Sequence, residues 1–162
     1  MKIRLASLID TKKLAVKIAK VARFGDVIAL SGNLGAGKTA FAKFFIKELC
    51  GEEVEVPSPT FTLVQTYDVQ NAKIGEVAHF DFYRLKNASE VVEIGFEDAL
   101  LSGVCLIEWA EKIGEYMPRD YLNIHLQNVE GDEGARDATL EPCGSGWQDR
   151  LAGLKSFERS ML

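Results

Sequence analysis

The chain is poor in cysteine. Cys50, Cys105 and Cys143 are odd in number and form no C-x-x-C arrangement, which argues against a disulfide frame or a zinc site. They read as reduced thiols of a cytosolic protein, and Cys105, inside an apolar run, reads as core packing. Positive charge is also short: 19 Lys and Arg face 24 Asp and Glu, for a net charge of −5. A general nucleic-acid binder acting through its overall field is thereby excluded, and any link to RNA runs through a partner or a local patch. No apolar run approaches the length of a membrane span. Residues 1–5 lack the apolar core of a signal peptide, so a cytoplasmic location without a membrane is expected. Internal repeats and low-complexity linkers are absent, and a single domain over 1–162 is expected. The apolar content of 47% and charged content of 27% are ordinary for a globular protein of 162 residues, long enough for one real core.

Against this plain background stands Gly32-Asn33-Leu34-Gly35-Ala36-Gly37-Lys38-Thr39, which fits G-x-x-x-x-G-K-[ST]. Val27–Ser31 before it reads as a buried strand, and residues 41–49 after it as a helix with Phe41, Phe44, Phe45 and Leu49 at helical spacing. Strand, glycine loop and helix are the context this motif needs. Glycines let the backbone approach phosphates closely, and successive N–H groups at a helix N-terminus form an anion nest. Lys38 is then placed to reach the β- and γ-phosphates, and the Thr39 hydroxyl to ligate Mg²⁺.

Elsewhere, Asp10 or Thr11 is positioned to cap a helix running to about Ala22, with Leu14, Ile18, Val21 and Ala22 as its buried stripe. Pro57 and Pro59 stiffen the acidic loop 51–59. Residues 61–67 and 76–82 read as two strands of a hairpin. Residues 88–101 suggest one or two short helices broken near Gly95, followed by a buried strand over 104–107 and a short helix over 111–116 that Pro118 stops. Alternation over 121–127, with 137–141 after the 131–134 turn, suggests another hairpin. Residues 145–159 read as a terminal helix, with Trp147, Leu151, Leu154 and Phe157 on a core-facing stripe. Alternating strands and helices around a phosphate loop, with hairpins added, indicate an α/β fold with a mixed sheet.

Hydrolysis or transfer also requires carboxylates and a group that orients the attacking atom. Asp81 and Glu108 each end an apolar strand, where open α/β sheets place ligands, although an acid there also serves as a helix cap. His79, two residues from Asp81 on the same strand face, is either a plain structural histidine or orients Asp81 or a water. Thr60 and Thr62, in the Ser58-Pro59-Thr60-Phe61-Thr62 stretch, are candidates to sense Mg²⁺ and the γ-phosphate, or belong to a surface turn. Arg84 is a candidate counter-charge for a transferring phosphoryl group, or makes a surface pair. Trp109 either packs in the core or covers a site.

Over roughly residues 1–140 these pieces resemble the TsaE (YjeE) family, small bacterial ATPases of P-loop NTPase-like three-layer fold. The stretches carrying the resemblance are the glycine loop, 58–64, 79–85 (His-Phe-Asp-Phe-Tyr-Arg-Leu), 107–111 (Ile-Glu-Trp-Ala-Glu), and Pro118 with the following strand. The resemblance implies ATP as nucleotide, contacted by the loop from Asn33 through Leu34, Gly35, Ala36, Gly37, Lys38 and Thr39 to Ala40, with Mg²⁺ held by Thr39 and Glu108. It implies that Lys38, Asp81, Glu108 and Trp109 serve activity, and that Thr11 lies near the nucleotide base; Arg136 aligns loosely with another nucleotide-proximal position. It further implies a role in threonylcarbamoyl-adenosine modification of tRNA position 37, supporting a TsaB–TsaD partner complex that performs the transfer, with tRNA met only through those partners. The chain departs from the family pattern at Asn33, Ala40 and Phe82, none of which removes a phosphate or metal ligand, and follows no family pattern after about Gly144.

Two other classes fit less well. A small-molecule kinase usually has an Arg-rich closing lid, and no such basic cluster is present. A GTP switch needs N-K-x-D, which is absent, and Asp81-Phe82-Tyr83-Arg84 does not give D-x-x-G.

Overall fold

The computed structural model describes residues 1–156. Seven strands form one sheet in the order β1-β7-β6-β2-β5-β4-β3. They are β1 (Lys2–Leu5), β2 (Val27–Ser31), β3 (Val64–Asp68), β4 (Glu76–Asp81), β5 (Gly103–Glu108), β6 (Tyr121–Val129) and β7 (Asp132–Cys143). The central four, β6, β2, β5 and β4, run parallel, and β3, β7 and β1 add antiparallel pairs at the two sides. Among the described residues they are accompanied by the helices α1 (Leu8–Val21), α2 (Lys38–Cys50), α3 (Glu90–Glu93), α4 (Phe96–Leu100) and α5 (Gln148–Ala152). A 3₁₀ segment, Ala110–Tyr116, follows β5.

Pleating separates the strand side chains into two cores. Ile28, Leu30, Val104 and Leu106 pack with Leu14 and Ile18 of α1, Phe41 and Phe45 of α2, and Leu151 of α5. Val27, Phe80, Cys105 and Ile107 face the other way, onto Val91 of α3, Phe96 of α4 and Ile113 of the 3₁₀ segment. The expected three-layer α/β architecture with a mixed sheet and added hairpins is therefore present. Cys105 is indeed buried, and burial pushes its thiol up to about 12.

Several boundaries move, each for a local reason. α1 starts at Leu8 with Ser7 at its cap, ahead of the expected Asp10 or Thr11. Asp10 instead accepts a hydrogen bond from the Ala6 amide at 3.1 Å. α2 starts at the loop lysine itself rather than at 41. The strand expected from residue 61 begins at Val64, because the chain turns at 60–63 with the Leu63 amide on the Pro59 carbonyl (2.8 Å) and Leu63 at φ 68°. β7 extends to twelve residues, since Val129 pairs with Asp132 across a loop of Glu130 and Gly131. β1 has no clear sequence signature: a four-residue strand with two apolar positions, Ile3 and Leu5, carries little signal, and pairing with β7 makes it. The two short helices broken at Gly95 are as expected.

The terminal helix expected over 145–159 starts later and is interrupted: α5 runs from Gln148 to Ala152, Gly153, a weak helix former, opens a turn, residues 155–156 are helical again, and 157–159 lie outside the described residues. Trp147, Leu151 and Leu154 are core residues as expected, while Phe157 lies outside the described residues. Arg150 anchors the segment. It stacks on Trp147 at 3.8 Å, donates to the Val21 carbonyl at 3.0 Å, and forks onto Asp26 at 2.6 and 2.8 Å. Both side chains of that pair are about nine-tenths covered, 9% and 10% exposed. Breaking a buried pair leaves one charge uncompensated, so Asp26→Ala is expected to lower stability by about 3–5 kcal/mol. Urea unfolding checks this, and a midpoint equal to the parent's would show that α5 is held by packing alone.

Candidate nucleotide site

The site gathers at the C-terminal ends of β2, β4 and β5, where the parallel strands open between loops. After β2 the chain must turn sharply beside β6. Gly32, at φ 133°, does this where a Cβ would run into the Leu126 carbonyl of β6. Gly37, at φ 101°, caps α2 in the left-handed region that favours glycine. The loop thus approaches the strands and delivers Lys38 and Thr39 as the first residues of α2.

Lys38 is buried, 5% exposed. Its Nζ donates to the Gly32 carbonyl at 2.5 Å and the Asn33 carbonyl at 2.9 Å, and sits 4.4 Å from the centre of the Trp109 ring. Burial lowers its pKa from the ordinary lysine value, and the negative charges of Glu108, Glu111 and Asp81 offset part of that. Trp109 reaches this place because it lies at φ 60°, ψ 43°, a backbone conformation costly for a residue with a Cβ. The kink turns the chain directly after Glu108 and stacks the indole near Tyr83, ring centres 5.0 Å apart.

The two strand-end carboxylates lie opposite each other in register, Asp81 beside Glu108. Each is tied down differently. Glu108 Oε1 accepts the Thr39 hydroxyl at 2.9 Å, and Oε2 meets His79 Nε2 at 2.7 Å. Asp81 Oδ2 accepts the Thr60 hydroxyl at 2.9 Å, and Oδ1 accepts the Tyr83 amide at 2.9 Å. Ser58 Oγ lies 2.8 Å from Thr60 Oγ1 and extends that chain of contacts. The proline-stiffened turn therefore brings Thr60 onto Asp81, whereas Thr62 pairs with Gln65 on the surface. Arg84 also leaves the site, packing over the exposed Phe61 ring at 4.2 Å. His79 bonds Glu108 rather than Asp81.

Leu34, Gly35, Gly37, Lys38, Thr39 and Ala40 share one cleft of about 310 Å³ with Asp81, Glu108 and Trp109, and Thr60 and Tyr83 complete it. That volume is within the range for small-molecule sites. Thr11 lines a second hollow with Ser7, Leu8, Glu133, Gly134 and Arg136, which shares Gly37 with the first. Arg136 closes onto the loop from there, donating to the Ala36 carbonyl at 3.0 Å. Asn33 and Ala36 also line a separate hollow with residues 125–128 of β6. Tyr83 is the cleft residue to which no role fell in the sequence; its position two residues after Asp81 was the available signal. The donor set suits a magnesium nucleotide: a glycine-backed cradle, a lysine, and hydroxyl and carboxylate oxygens in contact.

Fold and cleft together define an α/β protein of the P-loop NTPase-like class. The family described as threonylcarbamoyl adenosine biosynthesis protein TsaE matches residues 5–138, and the chain belongs to that family. Among similar proteins, the tRNA threonylcarbamoyladenosine biosynthesis protein TsaE of Rickettsia conorii is 41% identical, covering 76% of this chain and 69% of its own. The Bacillus subtilis protein of the same description is 38% identical over 86% of this chain and 84% of its own. The crystal structure of Bacillus subtilis YdiB superposes with a TM-score of 0.72 at 30% identity, covering 99% of this chain and 95% of that one.

Proposed function

We propose that the protein is a Mg²⁺-dependent ATPase, a single domain over 1–162, that works in the cytoplasm in threonylcarbamoyl-adenosine modification of tRNA position 37. It supports the TsaB–TsaD complex and meets tRNA only through those partners; it does not catalyse the transfer. The observation that carries the chemistry is the Thr39–Glu108 contact of 2.9 Å directly beneath the glycine loop, with Asp81 in register beside it. Membership of the TsaE family supports the pathway, and no described helix is long and apolar enough to cross a membrane.

In this reading the triphosphate lies along the loop, and Lys38 exchanges its contacts with the Gly32 and Asn33 carbonyls for β- and γ-phosphate oxygens. Thr39 and Glu108 would hold Mg²⁺, which when bound would supply positive charge against the phosphates. Asp81, fixed by Thr60 and Tyr83, accepts a hydrogen bond from the attacking water and aligns it with the γ-phosphorus. The water oxygen bonds to phosphorus as the bridging oxygen leaves on ADP, and the water's proton passes to Asp81 and from there to solvent. Trp109 covers Lys38 and keeps bulk water from it, and Thr11 with Arg136 flanks the nucleoside end.

The test is phosphate release from Mg·ATP by the purified chain, alone and with TsaB and TsaD. Slow turnover that changes when the partners are added is expected. Indifference to the partners, with phosphate transferred only to an added small acceptor, would mark a kinase and overturn the proposal.

A further inference from the structure

His79 lies within β4 with no exposed surface. Its strand neighbours Ala78 and Phe80 pack into the second core, and His79 points to the opposite face, toward the cleft carboxylates. Of its two ring nitrogens, Nε2 lies 2.7 Å from Glu108 Oε2, and Nδ1 has no hydrogen-bond partner among the described residues. A buried imidazole with one unpaired nitrogen is costly, and an apolar side chain would fill the same space without that cost. What the histidine alone supplies is the bond to Glu108.

We infer that His79 is a positioning residue for the Mg²⁺ site: its Nε2–H donates to Glu108 Oε2 and holds Oε1 turned toward Thr39. The inference rests on the reading of Glu108 as a metal ligand. A glutamate has three rotatable side-chain bonds, and the single hydrogen bond from Thr39 leaves its carboxylate plane free to turn. A second bond on the other oxygen removes that freedom. Outer-shell partners of this kind orient ligating carboxylates and raise metal affinity. The geometry requires a proton on Nε2: with the ring proton on Nδ1 alone, lone pairs of Nε2 and Oε2 would face each other across 2.7 Å.

The experiment compares His79→Asn and His79→Gln in the full chain. A glutamine amide nitrogen reaches the place of Nε2, and that of asparagine stops short, yet both lose the ring. Binding of a fluorescent ATP analogue is followed while Mg²⁺ is titrated in, with thermal melting as the check on folding. His79→Asn should raise the Mg²⁺ concentration at half-saturation by roughly 10- to 100-fold. Metal-free nucleotide binding should stay unchanged, and His79→Gln should return most of the Mg²⁺ affinity. Equal Mg²⁺ affinity in both variants would overturn the inference. Glu108→Gln, run alongside, separates the two readings. If it leaves the Mg²⁺ requirement intact, the assignment of Glu108 fails and the role of His79 with it. If it removes the requirement while His79→Asn behaves as the parent, only the role of His79 fails. Should neither histidine variant fold, ¹⁵N shifts of the ring in the unaltered protein decide: the Nε2–H tautomer is expected, and the Nδ1–H tautomer would overturn the proposal.

Discussion

Lys38→Ala is expected to abolish tight ATP binding while leaving the fold intact. The amine is the cleft's cation, sitting above carbonyls that hold it at 2.5 and 2.9 Å. Losing a buried charge partner for phosphate costs about 3 kcal/mol or more, roughly a hundredfold or greater in Kd. The effect on stability runs the other way. The buried amine carries a desolvation penalty, visible in its lowered pKa, and the two carbonyls it releases belong to a loop beside an open cleft where water can replace it. The unfolding midpoint should therefore stay near the parent's or rise. Calorimetric titration with a non-hydrolysable ATP analogue, paired with thermal melting, checks both halves. Parent-like affinity would show that the loop backbone alone holds the phosphates.

Asp81→Ala is expected to keep nucleotide binding and lose hydrolysis. Its two oxygens accept from Thr60 and Tyr83, so the carboxylate is aimed rather than free, and it stands beside Glu108, which takes the Thr39 hydroxyl. A group that orients or takes a proton from the attacking water contributes about 10²- to 10⁴-fold to rate. Single-turnover phosphate release should fall by that order. Equal release by variant and parent would sink the assignment and leave Asp81 as the anchor of the 58–63 turn. Some destabilisation is also expected, about 1–3 kcal/mol, because the Thr60 hydroxyl and the Tyr83 amide lose their acceptor.

Much of this was legible along the chain because the signals are local. The glycine loop announces itself by residue type and spacing, and its flanking strand and helix by period. Asp81 and Glu108 stood out because each ends an apolar strand, and the register of β4 on β5 puts them side by side. Roles that depend on which neighbour a side chain meets were not legible. His79 shares a strand face with Asp81, yet its hydrogen bond crosses to Glu108 on the next strand. Thr60 and Thr62 look alike in sequence; a turn with Leu63 at φ 68° gives one of them to Asp81 and the other to solvent. Thr11 came forward as a site residue only through family resemblance, since nothing in the pattern of α1 says that a buried threonine there lines a hollow beside Gly37.

By itself the sequence determined the glycine loop, the α/β layering and the placing of two acids at strand ends, because glycine conformational freedom, helical and strand periods and strand-end acids are properties of short stretches. Tertiary structure alone decided that β1 exists, that Trp109 folds back over Lys38, and that Thr39 and His79 take opposite oxygens of Glu108. Those outcomes come from pairing and packing between segments far apart in the chain, whose registers no local pattern specifies.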